Sequence, residues 1–366
     1  MVRVLAWPMS SNRSVNPYTY ELYRHMPGDE IVELTLGFRC LWSALTTRYD
    51  VLHLHWLERA FWAHRPSALP KRLLLIFLIV GVVRVRGARF LWTVHDPRPH
   101  EMPSNRVLRR WPFSWLWRAF RTLVFCNLDG LVFQVEDHRR LVLEQEARLG
   151  RKPFITSPHP HFAGSYPDDV DARAARAALG LAPDIPVIGF VGNIRPYKNV
   201  DALIEAFRAS DLRAALIVAG QVDDPAHQAV LHEAVRRDDR VVAKFEFIPD
   251  DRLQYLIKAA DVLVLPFKAP TTSGSAMLGL SFACPIAVPA SPVFRDLQAK
   301  VGSEWVYLFE GPVSPAVLAD LLEWTRRPRA AAPDLSEFSW ATAAQRTHAF
   351  MEALVAQKAS PRAPAP

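Results

Sequence analysis

Short runs of apolar and β-branched residues recur along the chain, separated by longer stretches with helical periodicity. The runs VIGFVG (187–192) and VLVLP (262–266) contain no polar side chain. A strand with two apolar faces must be covered on both sides, and parallel sheets joined by helical crossovers provide that cover. The pattern therefore predicts an α/β protein with doubly wound parallel sheets that carry helices on both faces.

The chain length and one proline-rich segment together predict two domains. The chain has 366 residues, more than one hydrophobic core usually organises. Residues 157–171 are rich in Pro, Gly and Asp, a composition typical of an interdomain linker. We expect a first domain over 1–165, a second over 166–338, and a final helix over 339–358 that packs back onto the first domain.

Cysteine usage and the amino terminus indicate a cytoplasmic protein. Cys40, Cys126 and Cys284 are far apart, lie in apolar surroundings and form no CxxC pair. Neither a zinc site nor a disulfide framework is therefore indicated. The opening MVRVLAWP is too short for the apolar core of a signal peptide and is typical of a first strand, so we do not expect secretion.

The positive charge of the chain is concentrated in one window. Residues 59–121 hold 13 Lys or Arg, two acidic residues and five tryptophans. Cations beside indole rings favour a face that lies against anionic lipid headgroups; a solvated basic face with tryptophans in the core is the alternative. The apolar run at 73–83 has 11 residues, whereas a bilayer span needs about 20. We expect a helix that is partly buried or lies in the interface, and peripheral association with the inner face of the cell membrane.

A turn near residue 195 carries the strongest signal for an anion site. In FVGNIRPYKNV (190–200), Gly192, Arg195 and Lys198 lie between a strand and the start of an amphipathic helix. Arginine can donate two hydrogen bonds to phosphate oxygens and lysine supplies a point charge, so the pair can neutralise a diphosphate leaving group. For an isolated Arg-x-x-Lys pattern, a solvated loop is the alternative.

A second anion site is predicted where the strand at 262–266 leads into another helix. Thr272, Ser273, Gly274 and Ser275 open that helix. The first N–H groups of a helix have no intrahelical acceptor, and small residues let a phosphate approach them. A plain serine N-cap is the alternative.

The loops of the first domain narrow the choice of chemistry. Residues 7–20 contain no glycine, which argues against a dinucleotide-binding oxidoreductase. His95, Asp96, His100 and Glu101 cluster after another strand. This cluster suits a metal site, an acid/base group or simple loop polarity, and nothing fixes the ligand spacing that a metal requires.

Two further histidines alternate with leucines. His53 and His55 in VLHLHW share one face of a strand, so we expect one or both to be interior histidines with satisfied hydrogen bonds.

Seven segments, in this order, resemble GT-B glycosyltransferases, and specifically the bacterial family-4-type enzymes that assemble exopolysaccharide and lipid-linked oligosaccharides. The segments are NPYTYELY, VLHLHW, FLWTVHDPRPHE, SPHPHF, GFVGNIRPYKNVDALIEAF, ADVLVLPF and TSGSAMLGLSFACPIAVP. The resemblance covers nearly the whole chain. It implies two facing Rossmann-like domains, with a nucleotide-sugar donor bound mainly to the second and the acceptor to the first.

The resemblance also implies roles for single residues. Lys198 matches the family's phosphate-binding lysine. Asn193 replaces the family's arginine, whose charge we expect Arg195 to supply. His95 matches the histidine that faces the transferring sugar, and Asn16 matches a first-domain loop near the diphosphate.

One departure from the family concerns donor recognition. Family-4 enzymes usually carry two glutamates separated by seven residues, one near the sugar hydroxyls and one near the ribose. Pro270 and Leu278 occupy those positions here. The Thr-Ser-Gly-Ser turn must then bind the diphosphate through backbone N–H and hydroxyl groups, and we expect ribose recognition from Glu246 or from the backbone around Phe247 and Ile248.

The two anion sites and the resemblance together predict a glycosyltransferase that moves a sugar from a nucleotide-sugar donor to a saccharide acceptor. We expect that saccharide to be linked to polyprenyl diphosphate. The resemblance implies retention of configuration, and the reaction is expected to need no metal and no other cofactor. No nucleic-acid partner is expected.

An inverting reaction would need a base, for which Asp96, His100 and Glu101 are candidates. The alternatives are a non-catalytic basic protein that binds membrane or nucleic acid, and a nucleotide-sugar epimerase or phosphorylase of the same architecture.

Overall fold

The chain forms two compact units, each with its own parallel sheet. The computed structural model describes residues 1–7, 17–34, 38–57, 69–95, 122–236, 238–268 and 274–359. One unit comprises residues 1–160 together with 337–366, and the other comprises 161–336.

The described part of the first unit contains six strands. They are β1 (Arg3–Trp7), β2 (Glu30–Glu33), β3 (Val51–His55), β4 (Arg89–Val94), β5 (Gly130–Phe133) and β6 (Phe154–Thr156). The helices between them include α1 (Tyr18–Arg24), α2 (Phe38–Thr46), α3 (Leu69–Arg86) and α4 (Glu136–Gln145). The strand order is β2-β1-β3-β4-β5-β6, and every pair is parallel.

The last helix of the chain, α12 (Trp340–Ala359), belongs to this first unit. It packs against α1 and crosses close to β5, where a Cβ added to Gly130 would lie 2.7 Å from Leu354 Cδ1. His348 Nδ1 lies 2.7 Å from Oδ2 of Asp29, whose side chain is fully buried. The final helix is therefore fixed by apolar packing and by a partly buried polar pair.

The second unit repeats the architecture with a different strand order. Its strands are β7 (Val187–Val191), β8 (Ala215–Ala219), β9 (Val241–Lys244), β10 (Val262–Val264), β11 (Ile286–Pro289) and β12 (Val306–Phe309). Its helices are α5 (Ala172–Ala178), α6 (Val200–Arg208), α7 (Pro225–Val235), α8 (Asp250–Ala259), α9 (Gly274–Ser281), α10 (Pro292–Val301) and α11 (Pro315–Thr325). The order is β12-β11-β10-β7-β8-β9, again with parallel pairs only among the described strands.

Local sequence explains where several helices of the second unit begin. Asp224, Ser291 and Ser314 each precede a proline, and each side chain accepts a hydrogen bond from a backbone N–H in the first turn of its helix. Proline suits the first helical position because its missing N–H would have no intrahelical partner there. β7 and β8 are buried at every residue, as strands covered on both faces must be. The predicted α/β class with parallel sheets is confirmed.

Candidate active site

The strand order of the second unit determines where a ligand can bind. From β7 the chain adds β8 and β9 on one side, and β10 returns to the other side of β7. The loops after β7 and β10 therefore diverge at the carboxyl ends of adjacent strands, which leaves the crevice where open α/β sheets bind ligands. Both anion sites predicted from the sequence follow these two strands.

Two glycines fix the path of the loop after β7. Gly192 has φ +135° and Gly220, after β8, has φ +149°. A Cβ on Gly220 would lie 2.0 Å from the Gly192 carbonyl oxygen, so the two loops run in backbone contact. The amide of Gly192 donates to the Ala219 carbonyl (2.9 Å), and that of Ile194 donates to the Gln221 carbonyl (2.8 Å).

This loop delivers the side chain of Lys198 to the crevice. Lys198 ends a 3₁₀ turn at Pro196–Lys198 and is 9% exposed. Its Nζ lies 5.8 Å from the ring centroid of Phe190 and 5.9 Å from that of Phe267. Burying an ammonium group is costly, and the faces of two aromatic rings offset part of that cost.

Lys198 reaches the start of α9, where the second predicted site lies. Its Nζ donates a hydrogen bond to Ser275 Oγ at 3.3 Å. A Cβ on Gly192 would lie 2.8 Å from Ser275 Oγ and 3.4 Å from Lys198 Nζ. The structure therefore brings Gly192, Lys198 and Ser275 together, next to Gly274 at the first position of α9. A lysine beside a helix amino terminus and a glycine backbone is a suitable cradle for a phosphate.

The other predicted donor residues that the structure describes lie in two places. Asn193 and Arg195 are on the loop after β7, where Asn193 is exposed and Arg195 Nη2 forms an ion pair (2.8 Å) with Oδ2 of Asp223 on the loop after β8. Phe247, 56% exposed, and the half-buried Ile248 lie between β9 and α8. Their roles in binding stay predictions. Thr272 and Ser273 lie outside the described residues.

In the first unit, His95 follows β4 and is 8% exposed. Its ring stacks on Trp56 with centroids 4.2 Å apart, and the ring of Tyr18 lies nearly perpendicular to it at 4.8 Å. Its Nε2 lies 3.0 Å from His55 Nδ1, and its Nδ1 lies 3.2 Å from Gln134 Nε2. Contacts with two aromatic rings and at both ring nitrogens fix the orientation of this imidazole. Asn16, Asp96, His100 and Glu101 lie outside the described residues.

His53 and His55 are interior histidines, as their alternation in β3 predicts. Both are fully buried and both contact the hydroxyl of Tyr23, at 2.8 Å and 2.9 Å. Sequence reasoning missed Tyr23 and Gln134. Tyr23 belongs to α1 and meets β3 only through tertiary packing, for which the sequence carries no local signal.

Comparisons with known proteins bear on the fold and on the enzyme class. Residues 185–313 match the family model described as "Glycosyl transferases group 1". The chain is 29% identical to a GDP-mannose:glycolipid 4-beta-D-mannosyltransferase of Xanthomonas campestris pv. campestris, with 96% of this chain and 93% of the relative covered. It is 32% identical to a D-inositol 3-phosphate glycosyltransferase of Mycobacterium bovis, over 38% of this chain and 29% of that protein.

Solved structures share the fold. HepE of Anabaena, in complex with UDP and glucose, has a TM-score of 0.60 at 15% identity, with 98% of both chains covered. A glycosyltransferase from Rickettsia africae has a TM-score of 0.67 at 10% identity, with 97% of this chain and 98% of that chain covered.

The chain is a glycosyltransferase of the GT-B fold. The family match spans β7 to the end of β12, so it contains Gly192, Lys198 and Ser275. The predicted fold and enzyme class of this glycosyltransferase are thereby confirmed.

Gly220→Ala tests the backbone contact that shapes the donor loop. The added Cβ would overlap the Gly192 carbonyl at an unfavourable φ, so we expect the free energy of unfolding of the second unit to fall by about 3 kcal/mol or more. Urea denaturation measures the change. Gly180→Ala is the control, because Gly180 also has positive φ (+70°) but has no atom within 4 Å of the added Cβ. Equal effects of the two substitutions would contradict the contact.

Proposed function

We propose that this glycosyltransferase moves mannose from GDP-mannose to the saccharide of a glycolipid. We expect that saccharide to be linked to polyprenyl diphosphate. The Xanthomonas relative, which is named for that donor and a glycolipid acceptor, supports the proposal because the similarity extends over almost the full length of both chains. The observation that carries the chemistry is the meeting of Lys198 Nζ, Ser275 Oγ and the Gly192 backbone.

In this proposal the cluster binds the diphosphate of the donor. As the bond between the anomeric carbon and the phosphate oxygen breaks, its electron pair goes to the nucleoside diphosphate. The Lys198 ammonium and the first amides of α9 stabilise the charge that develops there. Because these groups are preorganised and Lys198 is already buried, we expect the proposed step to require no metal and no other cofactor.

Recognition of the rest of the donor falls to groups beyond this cluster. Leu278, in a position where family-4 enzymes usually carry a glutamate, is half-buried and apolar in α9. We assign the nucleoside to the exposed ring of Phe247 and the neighbouring Ile248. Arg195 remains the candidate for a second phosphate contact, which it would make by exchanging or sharing its partner Asp223.

The stereochemical course has two candidates. The family-4 resemblance favours retention, with the leaving phosphate accepting the proton of the acceptor hydroxyl. The name of the Xanthomonas relative specifies a beta-linked product. GDP-mannose carries its phosphate in the α configuration, so formation of a β-mannoside by this chain would be inversion and would require a base near the acceptor hydroxyl.

Lys198→Ala tests the phosphate assignment. Loss of one charge-stabilising donor typically costs about 2.7 to 4 kcal/mol in the transition state, so we expect kcat to fall roughly a hundredfold or more. Lys300→Ala is the control. Lys300 pairs with Asp296 near the end of α10, which leads to the amino end of β12, whereas the crevice lies at the carboxyl ends of the strands. If Lys198→Ala kept wild-type turnover, Lys198 would have no part in the reaction.

A donor panel tests the proposed substrate. The protein is incubated with GDP-mannose, UDP-glucose or ADP-glucose and a glycolipid acceptor, and the product is analysed by NMR. We expect mannose transfer from GDP-mannose and, in thermal-shift measurements, stabilisation by GDP-mannose at concentrations well above its dissociation constant. An α-linked product indicates retention and a β-linked product indicates inversion. Transfer from a UDP- or ADP-sugar alone would refute the assigned donor.

The proposal includes peripheral binding to a membrane, which an apolar face on α2 and α3 supports. In α3, Val80 and Val83 are buried, yet Leu74, Phe77 and Val85 are 58%, 54% and 90% exposed. A surface helix normally carries polar residues on its outer face. Trp42 and Leu45 on the neighbouring α2 are 70% and 47% exposed. Contiguous exposed apolar residues mark interaction sites.

Exposed cations accompany this apolar face. They are Arg48, Lys71, Arg84 and Arg86. Cations beside apolar side chains suit the boundary between anionic headgroups and acyl chains. Within the described residues, no helix combines the length and the hydropathy that crossing a bilayer requires.

Replacing Trp42 and Phe77 together by serine tests the membrane face. Burial of each ring in the interface contributes up to about 1.5 to 3 kcal/mol, so we expect the double variant to bind anionic vesicles at least tenfold more weakly. Vesicle flotation at two salt concentrations measures the affinity and its electrostatic part. Val230→Ser, at a site 61% exposed in the second unit, is the control. Unchanged binding by the double variant would exclude this face.

A further inference from the structure

A continuous chain of hydrogen bonds connects six buried side chains of the first unit. It runs from Gln134 to His95, His55, Tyr23, His53 and Thr93. The successive distances are 3.2, 3.0, 2.9, 2.8 and 2.7 Å. Each of the six side chains is less than 9% exposed. Such a network is costly to bury unless its donors and acceptors are matched, so its polarity is constrained.

Burial determines the protonation states in the middle of the chain. It lowers the pKa of His53 to about 3 and holds the pKa of His55 well below its ordinary value. It also raises the pKa of Tyr23 well above its ordinary value. At neutral pH both imidazoles are therefore neutral and the phenol keeps its proton. A neutral imidazole has one donor nitrogen and one acceptor nitrogen.

The amide of Gln134 then sets the direction of the whole chain. In the orientation that the structure gives this amide, Nε2 faces His95 and can only donate, so His95 Nδ1 accepts and the proton of a neutral His95 is assigned to Nε2. His95 Nε2 donates to His55 Nδ1, and His55 Nε2 donates to the Tyr23 oxygen. Tyr23 donates to His53 Nδ1, and His53 Nε2 donates to Thr93 Oγ1. With the hydrogen bonds running from Gln134 to Thr93, each donor in the chain has an acceptor.

We propose that Tyr23, His53 and His55 are positioning residues that hold His95 as the neutral tautomer protonated on Nε2, so that its Nδ1 edge accepts a hydrogen bond from a substrate hydroxyl. The proposal deepens the proposed function and rests on it, with His95 in the role that the family-4 resemblance implies, facing the transferring sugar. In the free protein the amide of Gln134 occupies Nδ1, at the longest distance in the chain. A sugar hydroxyl is the class of group that replaces it.

Two further observations support a fixed acceptor. The imidazole ring stacks on Trp56, with an interplanar angle of 15°, and also contacts the ring of Tyr18, which lies nearly perpendicular to it. Gln134 also hydrogen-bonds the hydroxyl of Tyr18, which ties the amide to a second buried group. Rotation of either His95 or Gln134 would break several contacts at once.

The tautomer can be measured without substrate. In the full-length protein labelled with ¹⁵N-histidine, the His95 signals, assigned by their loss in His95→Asn, should show a protonated Nε2 and an unprotonated Nδ1 at neutral pH. A proton on Nδ1, or an equal mixture of both tautomers, would overturn the proposal. This readout is independent of any donor, so it separates failure of this inference from failure of the proposed function.

Tyr23→Phe tests the positioning role. It removes the hydroxyl that connects His55 to His53, so we expect both His95 tautomers in the NMR spectrum. A wrong tautomer costs about 10⁴-fold in Ser-His-Asp enzymes, so we expect kcat to fall at least tenfold while KM for the nucleotide sugar changes less than twofold. Tyr49→Phe is the matched control: Tyr49 is 7% exposed in the same unit, and its hydroxyl has no hydrogen-bond partner among the described residues. Equal kcat values in the two variants would overturn the proposal.

Gln134→Glu provides a second test if Tyr23→Phe does not fold. A carboxylate at this position accepts instead of donating, so we expect the His95 proton to move to Nδ1 and kcat to fall at least tenfold. Full activity with the proton on Nδ1 would show that substrate does not need an acceptor there. Gln134→Asn, which keeps an amide, should retain the tautomer protonated on Nε2, and a reversed tautomer in that variant would equally refute the assignment.

Discussion

All described strands of this glycosyltransferase lie in parallel ladders, and the parallel arrangement determines where its polar groups can act. Parallel strands end together, so the loops that leave their carboxyl ends lie side by side. In the second unit this places the loop of Lys198, after β7, next to α9, which follows β10. In the first unit, β3 and β4 pair with His55 opposite Thr93. His95, which follows β4, therefore lies beside His55, the last residue of β3.

The two units solve the burial of polar groups in opposite ways. Lys198 keeps its position through two aromatic faces and a serine hydroxyl, which suits a site that must meet negative charge. In the first unit, the neutral imidazoles of His53 and His55 instead form hydrogen bonds with Tyr23, Thr93 and His95. In the proposed reaction, the directional network distinguishes hydroxyl groups by geometry and the second unit supplies electrostatic stabilisation. The proposed reaction needs both properties, because the donor carries a diphosphate and the acceptor reacts through a hydroxyl.

The sequence was sufficient for the features that depend on local pattern. Uniformly apolar runs predicted the parallel strands, and glycine, lysine and serine after β7 and β10 predicted groups that the structure brings together. The Arg195–Asp223 pair was not predictable, because Asp223 lies after a different strand and no local signal links the two. The same holds for Tyr23 and Gln134, which meet His53, His55 and His95 only through the packing of α1 and β5 against β3 and β4. Pairing between side chains distant in sequence depends on register and helix rotation, which composition does not encode.

The apolar run at 73–83 forms a helix that is only partly buried. The sequence left open whether this helix is partly buried or lies in the membrane interface; in α3, Val83 is fully buried while Phe77 and Val85 are exposed, and a place in the membrane interface stays a prediction. A helix that is apolar all round needs an apolar contact on each side. The sheet of the first unit covers one side. If a membrane covers the other, the same unit that holds the neutral histidine network is the one brought to the surface where a glycolipid presents its saccharide. The apolar face and the hydroxyl-selective network then serve the same substrate, one by binding its lipid surroundings and the other by orienting its sugar.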